Sequence, residues 1–113
     1  MGTMPAQPLL VLCKDLLFSS RITAAAKQAG IPFTFVREPQ KLTDQPGARL
    51  ILDLNLPGAI EAAAAWQQRT NGQTIGFVSH VDSETIAAAK TAGIQVILPR
   101  SQFVQKLPEI LQL

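Results

Sequence analysis

Arg49-Leu50-Ile51-Leu52-Asp53-Leu54-Asn55-Leu56-Pro57-Gly58 carries an apolar run straight into a carboxylate and then into a turn. Leu50, Ile51 and Leu52 have the unbroken apolar character of a strand covered on both faces. Asp53 therefore falls at the carboxyl end of a buried strand, the edge along which an open α/β sheet gathers its ligand sites. Asn55, Pro57 and Gly58 turn the chain out of the sheet and leave the Asp53 side chain at the mouth of the turn. The plainer reading makes Asp53 a cap for that turn, a common task for Asp. Strand-end carboxylates also occur in α/β folds of many functions.

Working outward from this strand, taken as residues 49–53, the chain alternates short apolar runs with helical patterns. Residues 8–13 read as a first strand, and residues 18–29 as a helix with Phe18, Ile22, Ala25, Ala26 and Ala29 on one stripe, closed by Gly30. Ser19 and Ser20 read as capping or solvent residues near its start. A second strand is expected over 32–36. Pro39 and Pro46 leave only a short or irregular helix between it and the third strand.

Downstream, helices are predicted over 59–69 and 83–92, the latter capped by Asp82 or Ser83 and ended by Gly93. Strands are predicted over 74–79 and 94–98. A last helix over 102–111 should be split or kinked by Pro108. Strictly alternating short strands and helices imply a parallel sheet with helices on both faces. Right-handed crossovers leave few arrangements. The expected one is a flavodoxin-like three-layer α/β sandwich with a five-stranded parallel sheet of order 2-1-3-4-5.

The chain has 113 residues, enough for a single domain over 1–113 with residues 1–7 as a flexible amino-terminal tail. Its hydrophobic fraction of 47% suits a sheet buried on both faces. No apolar run approaches the roughly 18 residues of a membrane span, and the first residues lack the pattern of a secretory leader. The single Cys13 excludes an internal disulfide, as in cytoplasmic proteins. A net charge of +2 with scattered Lys and Arg and no Tyr argues against a nucleic-acid groove. No Gly-x-Gly-x-x-Gly or P-loop pattern points to a dinucleotide or nucleoside triphosphate.

Across residues 9–111 the landmarks resemble those of a response-regulator receiver domain, the CheY-like family. Asp53-Leu-Asn-Leu-Pro57 is similar to the family's phospho-acceptor loop with its trailing proline. Ser79 stands at the position of the hydroxyl that binds a phosphoryl oxygen. Ala92-Gly93-Ile94 resembles the small-Gly turn before the last strand, and Leu98-Pro99-Arg100 falls where receivers carry a Lys. The resemblance implies a phospho-acceptor-like Asp53 with Ser79, Arg100 and Lys14 as its phosphate or charge pocket.

Two departures from the family pattern redirect that expectation. Receivers end their first strand with an acidic pair that holds Mg²⁺, whereas here the positions read Cys13-Lys14, with Asp15 one place further on. Mg²⁺ takes oxygen ligands and neutralises charge during phosphoryl transfer, so its loss removes a main contributor to catalysis. Arg100 in place of Lys keeps the charge but changes its shape, and Ile97 stands where many receivers carry an aromatic switch. Sliding Lys14-Asp15 onto the acidic pair restores one acid but fits Gly30 less well.

The expectation is thus a pseudo-receiver: a stand-alone, non-enzymatic, cytoplasmic signalling module without cofactor, metal or catalytic residue. Lys14 or Arg100 would pair with Asp53 in the place of Mg²⁺. With the last helix reaching the end of the chain, output is expected through a protein partner or self-association. One alternative is a phosphorelay receiver phosphorylated on Asp53 by a histidine kinase, with Mg²⁺ on Asp15, Asp53 and Asn55. Another is a flavodoxin-like domain whose Lys14 and Arg100 contact an anionic ligand. His80, the only histidine, has no second ligand in sequence and reads as a loop residue. Cys13 fits neither a Cys-x5-Arg phosphatase nor a phosphocarrier loop, and reads as a small core-edge residue, the alternative being a reactive thiol beside Lys14.

Overall fold

Leu9–Leu12 form β1 with all four side chains buried, as a strand covered on both faces requires. The computed structural model describes residues 9–79 and 82–111. The readings of the 1–7 tail, Pro8 and His80 fall outside the described residues. β1 pairs in parallel with β2 (Phe33–Val36) on one side and β3 (Arg49–Asp53) on the other. β4 (Gln73–Val78) adds to β3, and β5 (Val96–Pro99) to β4. The sheet has five parallel strands in the order β2-β1-β3-β4-β5, the flavodoxin-like order expected from the sequence.

Alternation along the strands divides the core in two. Leu9, Val11 and Cys13 point to one face together with Ile51, Ile75 and Phe77. Leu10, Leu12, Leu50, Leu52 and Val78 point to the other. The first face is covered by α1 (Leu16–Gln28), and the second by α2 (Ala59–Thr70) and α3 (Ser83–Ala92). α4 (Arg100–Gln105) and α5 (Leu107–Leu111) return to the first face through Phe103, Leu107 and Ile110. Phe18, Phe77 and Phe103 meet there, with ring centroids 4.6, 5.0 and 5.8 Å apart.

α1 starts two residues earlier than the sequence pattern suggested, and Ser19 and Ser20 are not its caps. Asp15 Oδ1 accepts the amides of Leu17 and Phe18 at 3.0 and 3.1 Å, satisfying donors left open at a helix start. The Ser19 and Ser20 hydroxyls instead donate back to the Leu16 carbonyl. At the end of α3, Gly93 sits at φ 89° and the Ile94 amide donates to Ala89 O at 3.1 Å. Ile94 thereby closes a helix rather than opening β5, which is why that strand begins two residues later than expected. The last helix splits at Lys106, leaving Pro108 in the first turn of α5, where its missing amide is not needed.

Parallel strands need long crossovers, usually helical. The β2-to-β3 crossover holds only a 3-10 turn, Pro39–Leu42, in line with its two prolines. α2 supplies the missing support. Trp66 Nε1 donates to Gln45 O at 3.0 Å, and an Arg69 Nη2 donates to the same carbonyl at 2.9 Å and to Leu42 O. Gly72 leaves room for the Trp66 ring, since a Cβ there would overlap the indole. Among the described residues no helix is long and apolar enough to cross a membrane.

Candidate functional site

The carboxyl ends of four strands bring Cys13, Asp53, Ser79 and Arg100 to one edge of the sheet. β3 ends at Asp53, whose register partner on β4 is Phe77; Ser79 follows two residues on. Gly76 shapes this region from below, because a Cβ on it would strike the Leu54 side chain packed beneath the Asp53 turn. The turn is then closed by Leu56 N on Asp53 O at 3.2 Å and by Gly58 at φ 83°, a left-handed conformation suited to glycine.

Asp53 Oδ1 accepts two hydrogen bonds. The Asn55 amide donates to it at 3.0 Å, an Asx turn, and the Ser79 hydroxyl at 3.3 Å. Ser79 Oγ also lies 3.4 Å from Asn55 Oδ1. A hydroxyl has one proton, so it serves one of these acceptors at a time. Asp53 is thus both a turn cap, as the plainer sequence reading had it, and the centre of a polar set with Ser79 and Asn55. The sequence reading makes Asn55 a turn residue and, in the phosphorelay alternative, a metal ligand; its amide hydrogen bond to Asp53 follows from its place two residues after an Asp.

Arg100 does not reach Asp53 as an ion pair. Its Nη2 lies 3.3 Å from Asp15 Oδ2, and its guanidinium stacks over the Phe18 ring, 4.1 Å from the centroid. Lys14 is exposed, and among the described residues no ion pair ties it to Asp53. Cys13 is the last side chain of its strand to turn into the core, so the next residue lies outside. The expected neutralisation of Asp53 by Lys14 or Arg100 is therefore corrected: the cation is spent on Asp15. The capping role of Asp15 was legible in part, since an Asp just before an apolar helical pattern is a capping signal.

The Phe18 amide, more than any other group, holds the Asp15 carboxyl below the usual carboxylate range; the Arg100 charge adds to this. Burial pushes the Cys13 thiol up, and the charges of Asp53 and Asp15 push it further, against the Asp15 backbone hydrogen bond and Arg100. The thiol donates weakly to the Asp15 carbonyl at 3.7 Å. A buried neutral thiol is a poor nucleophile, so the reactive-thiol reading loses its physical basis.

A hard dication beside Asp53 would need several oxygen ligands. Asp15 commits one carboxylate oxygen to its own helix and the other to Arg100, and the strand-end position before Lys14 is a thiol. Among the described residues no three His, Cys, Asp or Glu side chains converge as a ligand set. Beside Asp53 the described donors are the Ser79 hydroxyl and Asn55.

The fold is the one seen in solved receiver domains. No family model matches the chain, and no curated protein matches it. Solved structures match over nearly the full length. The BeF3-activated DrrB receiver domain superposes with a TM-score of 0.81 at 12% identity, covering 96% of each chain. A CheY-like response regulator receiver domain protein from Methanospirillum hungatei JF-1 gives 0.77 at 13% identity, over 96% of this chain and 95% of its own. A response regulator from Hahella chejuensis gives 0.77 at 18% identity, over 95% and 93%. At these identities the likeness establishes the fold.

Proposed function

We propose that this chain is a pseudo-receiver, a non-enzymatic signalling module with the receiver fold that acts by docking to a protein and does not need Mg²⁺-dependent phosphorylation of Asp53. The carrying observation is Asp15, the one acid near the end of the first strand, whose two oxygens are engaged by the α1 amides and Arg100. Asp53 is left without a second carboxylate to share a dication, while its own oxygen is satisfied by Ser79 and Asn55. A cytoplasmic location and the absence of a cofactor belong to the same reading.

The second reading is a phosphorelay receiver. The Asp53, Ser79 and Asn55 set favours it, because a hydroxyl beside the acceptor carboxylate is what a phosphoryl group there would contact. An anion site built on Lys14 and Arg100 has less support, with Lys14 facing outward and Arg100 held on Asp15. Incubation with acetyl phosphate and Mg²⁺, followed by intact mass, separates the first two. The expected result is an unchanged mass. A Mg²⁺-dependent gain of one phosphoryl group that vanishes in Asp53→Asn would overturn the pseudo-receiver reading.

A further inference from the structure

A groove of about 710 Å³ runs between α2 and α3, beside the Asp53 turn. Leu54, Leu56 and Ile60 line it, with the small Ala64 on its α2 side and Ala88 on its α3 side. The only charged side chains in its lining are Glu61 and Glu84, an acidic excess on a chain of net charge +2. Both are exposed, and among the described residues neither forms an ion pair.

The start of α1 presents the inverse pattern. Leu16 and Leu17 are 54% and 84% exposed, the most exposed large hydrophobic side chains among the described residues. Arg21 stands one turn beyond Leu17 on the same side of the helix, and Lys14 lies just before the capping Asp15. Both cations are exposed, and among the described residues neither is ion-paired. A leucine knob between two cations thus matches an apolar groove between two carboxylates. α1 and the α2–α3 pair cover opposite faces of the sheet, so knob and groove cannot meet within one molecule.

We propose that Leu16 and Leu17 of one copy dock in the α2–α3 groove of a second copy, with Lys14 and Arg21 against Glu61 and Glu84. This rests on the association part of the reading above and is independent of whether Asp53 is ever phosphorylated. The contact is heterologous: each copy that joins leaves one knob and one groove open, and growth proceeds head to tail. An interface made by one helix start belongs to the transient class, below about 1,200 Å² in total. Its charge pairs make it sensitive to salt.

Sedimentation of the full chain over rising concentration, without phosphodonor or Mg²⁺, tests the proposal. The mean mass of the wild type should rise with concentration, less so in high salt. Leu17→Glu removes the knob, and Ala88→Arg fills and recharges the groove with a good helix former; each variant alone should stay monomeric. Mixed, they should form a 1:1 dimer and nothing larger, because only one knob and one groove remain. Circular dichroism checks that each is folded. Should either variant unfold, the pair Lys14→Glu with Arg21→Glu and the pair Glu61→Lys with Glu84→Lys replace them: each should associate at least tenfold more weakly alone, and their mixture should recover. A wild type that stays monomeric, or variants that self-associate like wild type, or mixtures that do not dimerise, would overturn the assignment. A monomeric wild type that binds a synthetic Leu- and Lys-rich helical peptide through Ala88 would give the groove to a foreign basic segment instead. None of these failures bears on the phosphorylation test.

Discussion

Asp15 lends one oxygen to the amides of Leu17 and Phe18 and the other to Arg100. Its depressed pKa has a consequence for acid stability. A carboxyl held below its unfolded value adds stability that is fully present above about pH 4, the unfolded pKa, and is lost as pH falls through the folded one. The wild type should therefore lose more melting temperature than Asp15→Asn between about pH 5 and about pH 3, since Asn keeps a cap but titrates nothing. Equal losses in the two proteins would mean that the Arg100 pair and the cap charge contribute nothing measurable. The effect should be modest, because the ion pair is partly exposed, at 40% and 44% for the two side chains. Arg100 also covers the Phe18 ring, so its replacement removes packing as well as charge.

At the scale of elements, the β2-to-β3 crossover is held from outside by α2. Trp66→Phe keeps most of the buried ring but deletes the Nε1 donor to Gln45 O. It should cost about 1 kcal/mol in urea unfolding, and limited proteolysis should shift to residues 37–47. Cleavage unchanged in that segment would show that Arg69 alone anchors it. Much of the element plan was legible beforehand. β3 and α3 have the expected bounds, because an unbroken apolar run and a helix flanked by Asp82 and Gly93 carry their own punctuation. The start of α1, the delayed β5 and the split after α4 were not, since each depends on which backbone group finds a partner at a helix end. Asp53, Ser79 and Arg100 lie at one sheet edge as expected, but their hydrogen-bond and ion-pair partners were not legible. Arg100 and Asp15 are 85 positions apart, and either of two carboxylates at the sheet edge could have taken the guanidinium until the fold set the distances.

At the scale of the molecule, the two cores lie on opposite faces of one sheet and share its central strands. Neither can be lost while the other stays packed, so thermal unfolding should be a single transition. Trp66 fluorescence, which reports the α2 face, should coincide with far-ultraviolet circular dichroism, which reports the whole. Separated midpoints would show that the faces melt independently. Solved receiver domains share the same architecture at only 12–18% identity, so the pattern of apolar positions rather than the residues themselves maintains it. The crossover between β2 and β3 is held in part through its backbone. Trp66 and Arg69 grip it through the carbonyl oxygens of Leu42 and Gln45, groups that every amino acid possesses. A substitution at Gln45 leaves its carbonyl in place, whereas Leu42 is also a buried core side chain and a change at Trp66 removes the donor. At Gln45 the path of the chain is thus kept by the helix that holds its carbonyl, and not by the side chain that happens to stand there.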